Sequence, residues 1–361
     1  MSAPTTELRA RLHRQLLGWF DRGKRDLPWR RSRDPYAIWV SEVMLQQTQV
    51  SVVLPYWEAF LRRFPDLRAL ADAPLDAVLA AWRGLGYYAR ARNLHRAAQA
   101  IVRDHGGRFP RTVETLAALP GFGRYTVGAV ASIAFGLPVP VVDGNVARVL
   151  ARLFALEGAA GDPVREKALW RVAETLVADE RPGDWNQALM ELGATVCRPE
   201  SPSCLLCPVR EECRALALGA VERIPAPRPR ARRRAMQLAV AVVRRGESVL
   251  LVRREGTGLF GGLWELPALE VAEGDDLRAA LGAAWPGARV AAEPLASVER
   301  TLTHRDLRLT AFEVAGMRVL PGGRFVSSRQ AESLGVSAAM QAVLEHVFAG
   351  APQRRPRRPP R

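Results

Sequence analysis

Apolar residues recur at three- and four-residue intervals from Leu8 to Ala220, and Thr, Asp, Gly and Pro punctuate the runs. That period places one apolar face on each of a succession of helices. Asp34-Pro35 reads as an N-cap followed by a first-turn proline, opening a helix that carries Tyr36, Ile38, Trp39, Val43 and Met44. The pattern predicts further helices over Tyr56–Arg63, Leu75–Trp82, Ala89–Asp104, Val113–Leu119, Tyr125–Phe135, Val146–Phe154, Arg165–Leu176 and Trp185–Leu192, with no clear strand alternation among them. The period then changes. Met236–Val243 and Ser248–Arg253 are β-branched runs separated by Arg-Arg-Gly-Glu, a hairpin signal, and Leu307–Val314 alternates as a half-buried strand does. Asp275–Ala284 and Ala338–Phe348 read as helices, so the second half is α/β or α+β.

A length of 361 residues exceeds what one hydrophobic core of about 250 residues supports. The organisation expected is an all-α domain over 1–222, a Pro/Arg linker over 223–235, an α/β domain over 236–349 and a disordered basic tail over 350–361. With 48% hydrophobic and 25% charged residues the chain is globular rather than disordered or collagen-like. No apolar run approaches the roughly 20 residues that span a bilayer, and the first residues lack the order of a secretory signal. A cytoplasmic, nucleoid-associated location without membrane contact is the expectation. The net charge of +15 is concentrated in the N-terminal part, the linker and the tail. Such a balance suits a polyanion partner, although solvated arginine-rich segments would give the same charge.

Three clusters carry candidate chemistry. Cys197, Cys204, Cys207 and Cys213 are spaced C-x6-C-x2-C-x5-C and are the only cysteines, which points to a metal site rather than a disulfide framework. With a single CxxC knuckle the spacing favours iron–sulfur over zinc, and both stay open at this level. Leu119-Pro-Gly-Phe-Gly-Arg-Tyr, between two predicted helices, is a turn in which Gly121 and Gly123 could turn backbone N–H groups toward a phosphate. An ordinary interhelical turn has the same composition. Asp143-Gly-Asn-Val follows it as a second loop, ahead of another helix.

Leu27-Pro-Trp-Arg, Ser41-Glu-Val-Met-Leu-Gln-Gln-Thr-Gln-Val, Gly84-Leu-Gly-Tyr-Tyr-Ala-Arg-Ala-Arg-Asn-Leu, Asp143-Gly-Asn-Val and the cysteine loop together resemble the MutY-type adenine DNA glycosylases of the helix-hairpin-helix superfamily. Gly258-Leu-Phe-Gly-Gly-Leu-Trp-Glu-Leu-Pro and Thr301-Leu-Thr-His extend the resemblance into a Nudix-like C-terminal domain. It implies a monomeric base-excision enzyme, hydrolysing the N-glycosidic bond of adenine mispaired with 8-oxoguanine or G in duplex DNA, with a [4Fe-4S] cluster on the four cysteines.

Residue by residue, the resemblance implies Glu42 as the acid that protonates adenine N7, and Asp143 as the ionised group that stabilises or attacks the oxocarbenium ion. Tyr125 and Asn145 are supporting residues. Arg25, Leu27, Trp29 and Arg30, with Gln187, line the adenine pocket. Gln46, Gln47, Tyr87, Gly121, Gly123, Thr303 and His304 face DNA or the lesion. Bifunctional relatives carry a lysine where Tyr125 stands. Lys24 and Lys167 are the only lysines here and neither adjoins the hairpin, so a monofunctional glycosylase is expected. A Nudix hydrolase needs a glutamate after its glycines and an acidic helix; Pro267, Ala268 and Asp276-Leu-Arg-Ala-Ala-Leu supply neither. Two other readings remain open at this level: an endonuclease III-like glycosylase/lyase for oxidised pyrimidines, and a DNA-binding protein without catalysis.

Overall fold

In the computed structural model the described residues are 4–226, 233–256 and 258–350. Residues 227–232 of the expected linker and 351–361 of the expected basic tail lie outside them. The helices run in chain order as α1 Thr6–Gly23, α2 Pro35–Leu45, α3 Val50–Arg63, α4 Leu67–Asp72, α5 Leu75–Ala81, α6 Ala89–His105, α7 Val113–Ala117 and α8 Arg124–Ile133. Then follow α9 Gly144–Phe154, α10 Pro163–Leu176, α11 Pro182–Thr195 and α12 Arg214–Ala217. Local chemistry sets their ends. Asp34, Thr112, Asp143 and Asp162 each accept a hydrogen bond from a first-turn backbone N–H, and Pro35, Pro163 and Pro182 open α2, α10 and α11.

Two helical expectations need correction. The helix expected from Tyr56 begins at Val50 and carries Pro55 inside it, because a proline this near an N-terminus forfeits one hydrogen bond that the apolar face at Val53 and Phe60 outweighs. Helix α4 was not expected; six residues give too little periodicity to register, yet Leu67, Leu70 and Ala71 are buried.

The chain divides into two compact units, and the division does not follow chain order. One unit holds the residues up to Asp72 and those from Asn93 through the cysteine loop; the other joins Ala73–Arg92 to the strands after the linker. In the first unit Leu12, Leu16 and Phe20 of α1 pack with Val149, Leu150 and Leu153 of α9, Leu169 and Leu176 of α10, and Trp185 and Leu189 of α11.

In the second unit the strands are β1 Arg234–Val242, β2 Arg244–Arg245, β3 Ser248–Arg253, β4 Trp264–Glu265, β5 Ala268–Val271, β6 Arg289–Val290, β7 Ala296–Thr301, β8 Arg305–Ala315 and β9 Arg324–Val326. The helices are α13 Leu277–Ala284, α14 Ser328–Glu332 and α15 Ala338–Ala349. The hairpin expected at Arg-Arg-Gly-Glu forms, with Arg244 opposite Val249, Arg245 opposite Ser248 and the Val243 carbonyl accepting from the Leu250 N–H at 2.9 Å, but it reaches no further back than Val243. Only β2 pairs with β3, while β1 lies parallel to β8, Leu238 opposite Leu309, and antiparallel to β5. The chain changes sheets at Val243 because β1 is buried on both faces: Leu238, Val240 and Val242 join Met340 and Val343 of α15, and Ala239 and Ala241 join Leu281 of α13. A two-stranded hairpin would leave one of those faces in water.

Segment Ala73–Arg92 is anchored to β3, β4 and the loops beside them by several contacts. Asp76 accepts from Arg253 at 2.8 Å and from the Trp264 indole at 3.2 Å, and a Cβ at Gly335 would stand 2.6 Å from Leu79 Cβ. Arg83 donates to the Leu334 carbonyl at 2.9 Å and Arg92 to the Gly261 carbonyl at 2.6 Å.

Candidate active site

Helix α2 is buried along almost its whole length, from Tyr36 to Met44, and Glu42 is the one carboxylate it carries. An all-round apolar helix belongs inside a protein, so the glutamate is carried inside with it. Burial pushes its carboxyl from 4.5 up to about 7; the neighbouring Asp143 adds to the rise, while the Tyr125 hydrogen bond and Arg30 oppose it. The Tyr125 hydroxyl, from the first turn of α8, donates to Glu42 Oε2 at 2.5 Å. Burial, with Glu42 and Asp143 nearby, holds the phenol well above its usual range, so it stays protonated and remains a donor.

Asp143 is the N-cap of α9. Its Oδ1 accepts from the Val146 N–H at 2.7 Å, and Oδ2 accepts from the Asn145 amide at 3.0 Å. Burial moves its pKa up, against the Val146 and Asn145 hydrogen bonds and Arg148. Two close backbone approaches support the arrangement. A Cβ at Gly128 of α8 would stand 2.3 Å from the Pro140 carbonyl oxygen, and one at Gly193 of α11 would stand 2.6 Å from Asn145 Cβ. Larger residues at either position would push the Asp143 loop away from Tyr125.

Two of the expected adenine-pocket residues, Arg25 and Arg30, meet on a partner that sequence reasoning missed. Glu191 of α11, with a side chain 1% exposed, accepts from Arg25 at 2.7 and 2.8 Å and from Arg30 at 2.8 Å. Burial raises the Glu191 carboxyl, but the two guanidinium groups overcome it and hold it at about 2. An acid four residues after Gln187, on the buried side of α11, was the available signal. Leu27 and Trp29 are buried, and the Trp29 ring meets Trp57 edge-on at 5.8 Å. Gln187 and Arg30 line a polar cavity of about 110 Å³ together with Ser132, Arg181 and Asp184. Glu191→Gln is expected to destabilise the fold by about 3 kcal/mol, since it strands two cations on one buried partner. The folded pKa lies below the unfolded one, so this stability is present above about pH 4.5 and lost as pH falls through about 2. Urea midpoints should therefore differ at pH 7 and converge in acid.

The hairpin glycines differ in kind. Gly121 has φ +77° and a Cβ there would lie 2.6 Å from Asn93 Cβ, so only glycine fits. Gly123, the N-cap of α8, has an ordinary φ of −74° and open space at its Cβ position, so its backbone does not require glycine. Gln46 donates to the Thr126 hydroxyl at 3.2 Å, and Gln47, just beyond α2, has φ +59°.

Cys197, Cys204, Cys207 and Cys213 form no disulfide and together line a cavity of about 30 Å³ with Arg152 and Arg210. Among the described residues no three Cys, His, Asp or Glu side chains group as a single-ion site. Burial raises the Cys204, Cys207 and Cys213 thiols, Cys207 to about 11. Four soft sulfur donors around one enclosed space fit a thiolate-held cluster. Arg152 of α9 donates to Cys197 Sγ at 3.4 Å and to the Arg198 carbonyl at 2.7 Å. One turn earlier, Arg148 donates to the Cys197 carbonyl at 2.8 Å and to Asn145 Oδ1 at 2.8 Å, joining the cysteine loop to the Asp143 loop. The i,i+4 spacing of these arginines, inside a helix whose remaining buried residues are apolar, is the signal that could have found them.

The second unit holds the other expected contacts. Tyr87 is 43% exposed, and its hydroxyl lies 2.7 Å from Thr303 Oγ1. The neighbouring His304 accepts through its carbonyl from the Arg234 N–H at 3.1 Å. Glu265, the buried acid of this unit, is paired with Arg254 at 2.8 Å, and α13 has no acidic residue.

Residues 40–175 match the family model for HhH-GPD superfamily base excision DNA repair proteins, and 239–346 match that of the NUDIX domain. The human adenine DNA glycosylase is 40% identical over 404 residues, covering 93% of this chain and 73% of that one. Among solved structures, a thermostable thymine-DNA glycosylase aligns with TM-score 0.53 and 32% identity, over 58% of this chain and 97% of the other. An endonuclease III–DNA complex aligns with TM-score 0.51 and 24% identity, over 60% of this chain and 98% of the other, a likeness of fold.

Proposed function

The chain belongs to the adenine DNA glycosylases, base-excision hydrolases of the helix-hairpin-helix class, and we propose that it removes adenine opposite 8-oxoguanine or G using Glu42 as acid and Asp143 as the anion beside the sugar. The observation that carries this reading is Glu42: a lone carboxyl inside an apolar helix, lifted to about 7 and hydrogen-bonded by a phenol that keeps its proton. Because Tyr125 donates to Oε2, the proton of a neutral Glu42 sits on Oε1, from which it passes to adenine N7 as the glycosidic bond breaks. The base leaves neutral, and positive charge develops at the sugar C1′. Asp143, its Oδ2 turned by Asn145, faces that charge and either stabilises the cation or bonds to it before water arrives. Arg25 and Arg30, held by Glu191, form with Leu27, Trp29 and Gln187 the wall against which the extruded adenine lies.

Cys197, Cys204, Cys207 and Cys213 hold a [4Fe-4S] cluster in this reading. When bound, the cluster braces the cysteine loop and charges its surroundings; Arg148 and Arg152 tie that loop to α9. Gly121 and Gly123 present backbone N–H groups to phosphate. Gln46 and Gln47 stand at the gap left in the stack, and Tyr87, Thr303 and His304 face the opposing base. The chain acts as a monomer on duplex DNA. Among the described residues no helix is long and apolar enough to cross a membrane.

Duplexes carrying A:8-oxoG, A:G or oxidised pyrimidines, incubated with the chain and analysed with and without alkali, test the reading. Free adenine should appear from the first two, with strand breaks only after alkali, as expected of a site with Tyr125 and no adjacent lysine. Strand breaks without alkali, or activity confined to oxidised pyrimidines, would favour the lyase alternative.

A further inference from the structure

Tyr87 reaches Thr303 from a backbone that few tyrosines adopt. The loop before it turns through Gly84 at φ +100° and Gly86 at φ +69°, and Tyr87 itself has φ +47°. A left-handed non-glycine residue persists where surrounding structure over-determines it. That structure is Arg90, in the first turn of α6 and 9% exposed. Its guanidinium donates to the Leu85 carbonyl at 2.9 Å and to the Gly86 carbonyl at 3.2 Å. Its Cζ lies over the Trp82 ring, 5.4 Å from the centroid, and over the Tyr87 ring at 5.7 Å. The Arg90 backbone N–H donates to the Tyr87 carbonyl at 2.9 Å, and the Trp82 indole closes the turn onto the Gly86 carbonyl at 3.2 Å. Burial lowers the guanidinium to about 10, which leaves it charged at neutral pH. All of these groups, with Thr303, lie in the unit that joins Ala73–Arg92 to the C-terminal strands.

We propose that Arg90 is the positioning residue for opposite-base recognition: its fork and its two ring contacts lock residues 84–87 so that the exposed Tyr87 ring and the Thr303 hydroxyl act as one preformed reader. The proposal rests on the reading that Tyr87 and Thr303 face the base opposite adenine. The exposed ring offers a stacking surface, and the two hydroxyls 2.7 Å apart offer a hydrogen-bonding pair at its edge, suited to a purine whose edge has gained an oxygen and an N–H. Preforming the pair spares the bound state the ordering of a strained loop, so its contribution appears as affinity for the lesion rather than as rate of bond cleavage.

The test uses the full chain and single-turnover excision at several enzyme concentrations, on A:8-oxoG and A:G duplexes, with thermal midpoints as the folding control. Arg90→Met is expected to raise the half-saturating concentration for A:8-oxoG about tenfold, and for A:G by no more than about twofold, with the saturated rates nearly unchanged. Arg90→Lys, which keeps the stem and the charge but lacks the planar fork, should recover only part of the loss and carries the test if the methionine chain does not fold. In a Tyr87→Ala background the Arg90 substitutions should change the A:8-oxoG preference no further, because Arg90 acts through that ring. Equal weakening on both duplexes, a lowered saturated rate alone, or additive losses in the double variant would each overturn the role of Arg90. A wild-type chain with no preference for A:8-oxoG over A:G would instead remove the lesion-facing reading on which the proposal rests.

Discussion

Glu42→Gln is expected to lower the excision rate by about a thousandfold or more while leaving duplex binding within a few-fold of wild type, since the amide keeps the shape and the Tyr125 contact but has no proton to give to the leaving base. Single-turnover kinetics with a separate binding titration would measure both; excision within tenfold of wild type would remove Glu42 from the acid role. The wild-type pH profile should carry the same signature. A group titrating at about 7 is in its acid form below that value, so the rate should fall as pH rises through about 7.

The same substitution has an opposite effect on stability. Glu42 has a folded pKa raised from 4.5 to about 7, so its neutral form is accommodated fully below about pH 4.5, and that stability is lost as pH rises through about 7. The difference corresponds to roughly 3 kcal/mol in the alkaline limit. Glu42→Gln should therefore be more stable than wild type at pH 8 and close to it at pH 4.5. A variant that is both inactive and more stable in alkali separates loss of chemistry from loss of fold.

Asp143→Asn should cost a comparable factor, about a thousandfold, for a different reason. Asparagine caps a helix as well as aspartate, so the Val146 N–H keeps its acceptor and α9 its start, with the thermal midpoint nearly unmoved. What disappears is the negative charge facing the sugar cation. Loss of excision with an unchanged melting curve and intact binding is the expected outcome, and a rate near wild type would mean the cation is stabilised by other groups.

Much of this protein is written in one dimension. Helical period located α9 and α10 to within two residues of their starts, and the Asp34 cap with Pro35 marked the start of α2, because those signals act between residues a few positions apart. The motif around Glu42 and the one beginning at Asp143 drew attention to residues that the fold brings together around Tyr125. The spacing of the four cysteines likewise marked residues that share one cavity.

Other features arise only when distant segments meet. Glu191 is an ordinary helix acid until Arg25 and Arg30, more than 150 positions away, fold onto it and hold its charge inside the protein. The rise of the Asp143 pKa depends on how much water three helices exclude, a quantity no local pattern contains. The hairpin signalled by Arg-Arg-Gly-Glu forms between β2 and β3, but the sheet change at Val243 was decided by two helices that cover both faces of β1. Segment Ala73–Arg92 joins the C-terminal strands through Asp76, Leu79, Arg83 and Arg92, though it is written between helices of the other unit. Local order selects elements and supplies chemical groups; burial and long-range pairing decide which groups meet and what charge each one carries.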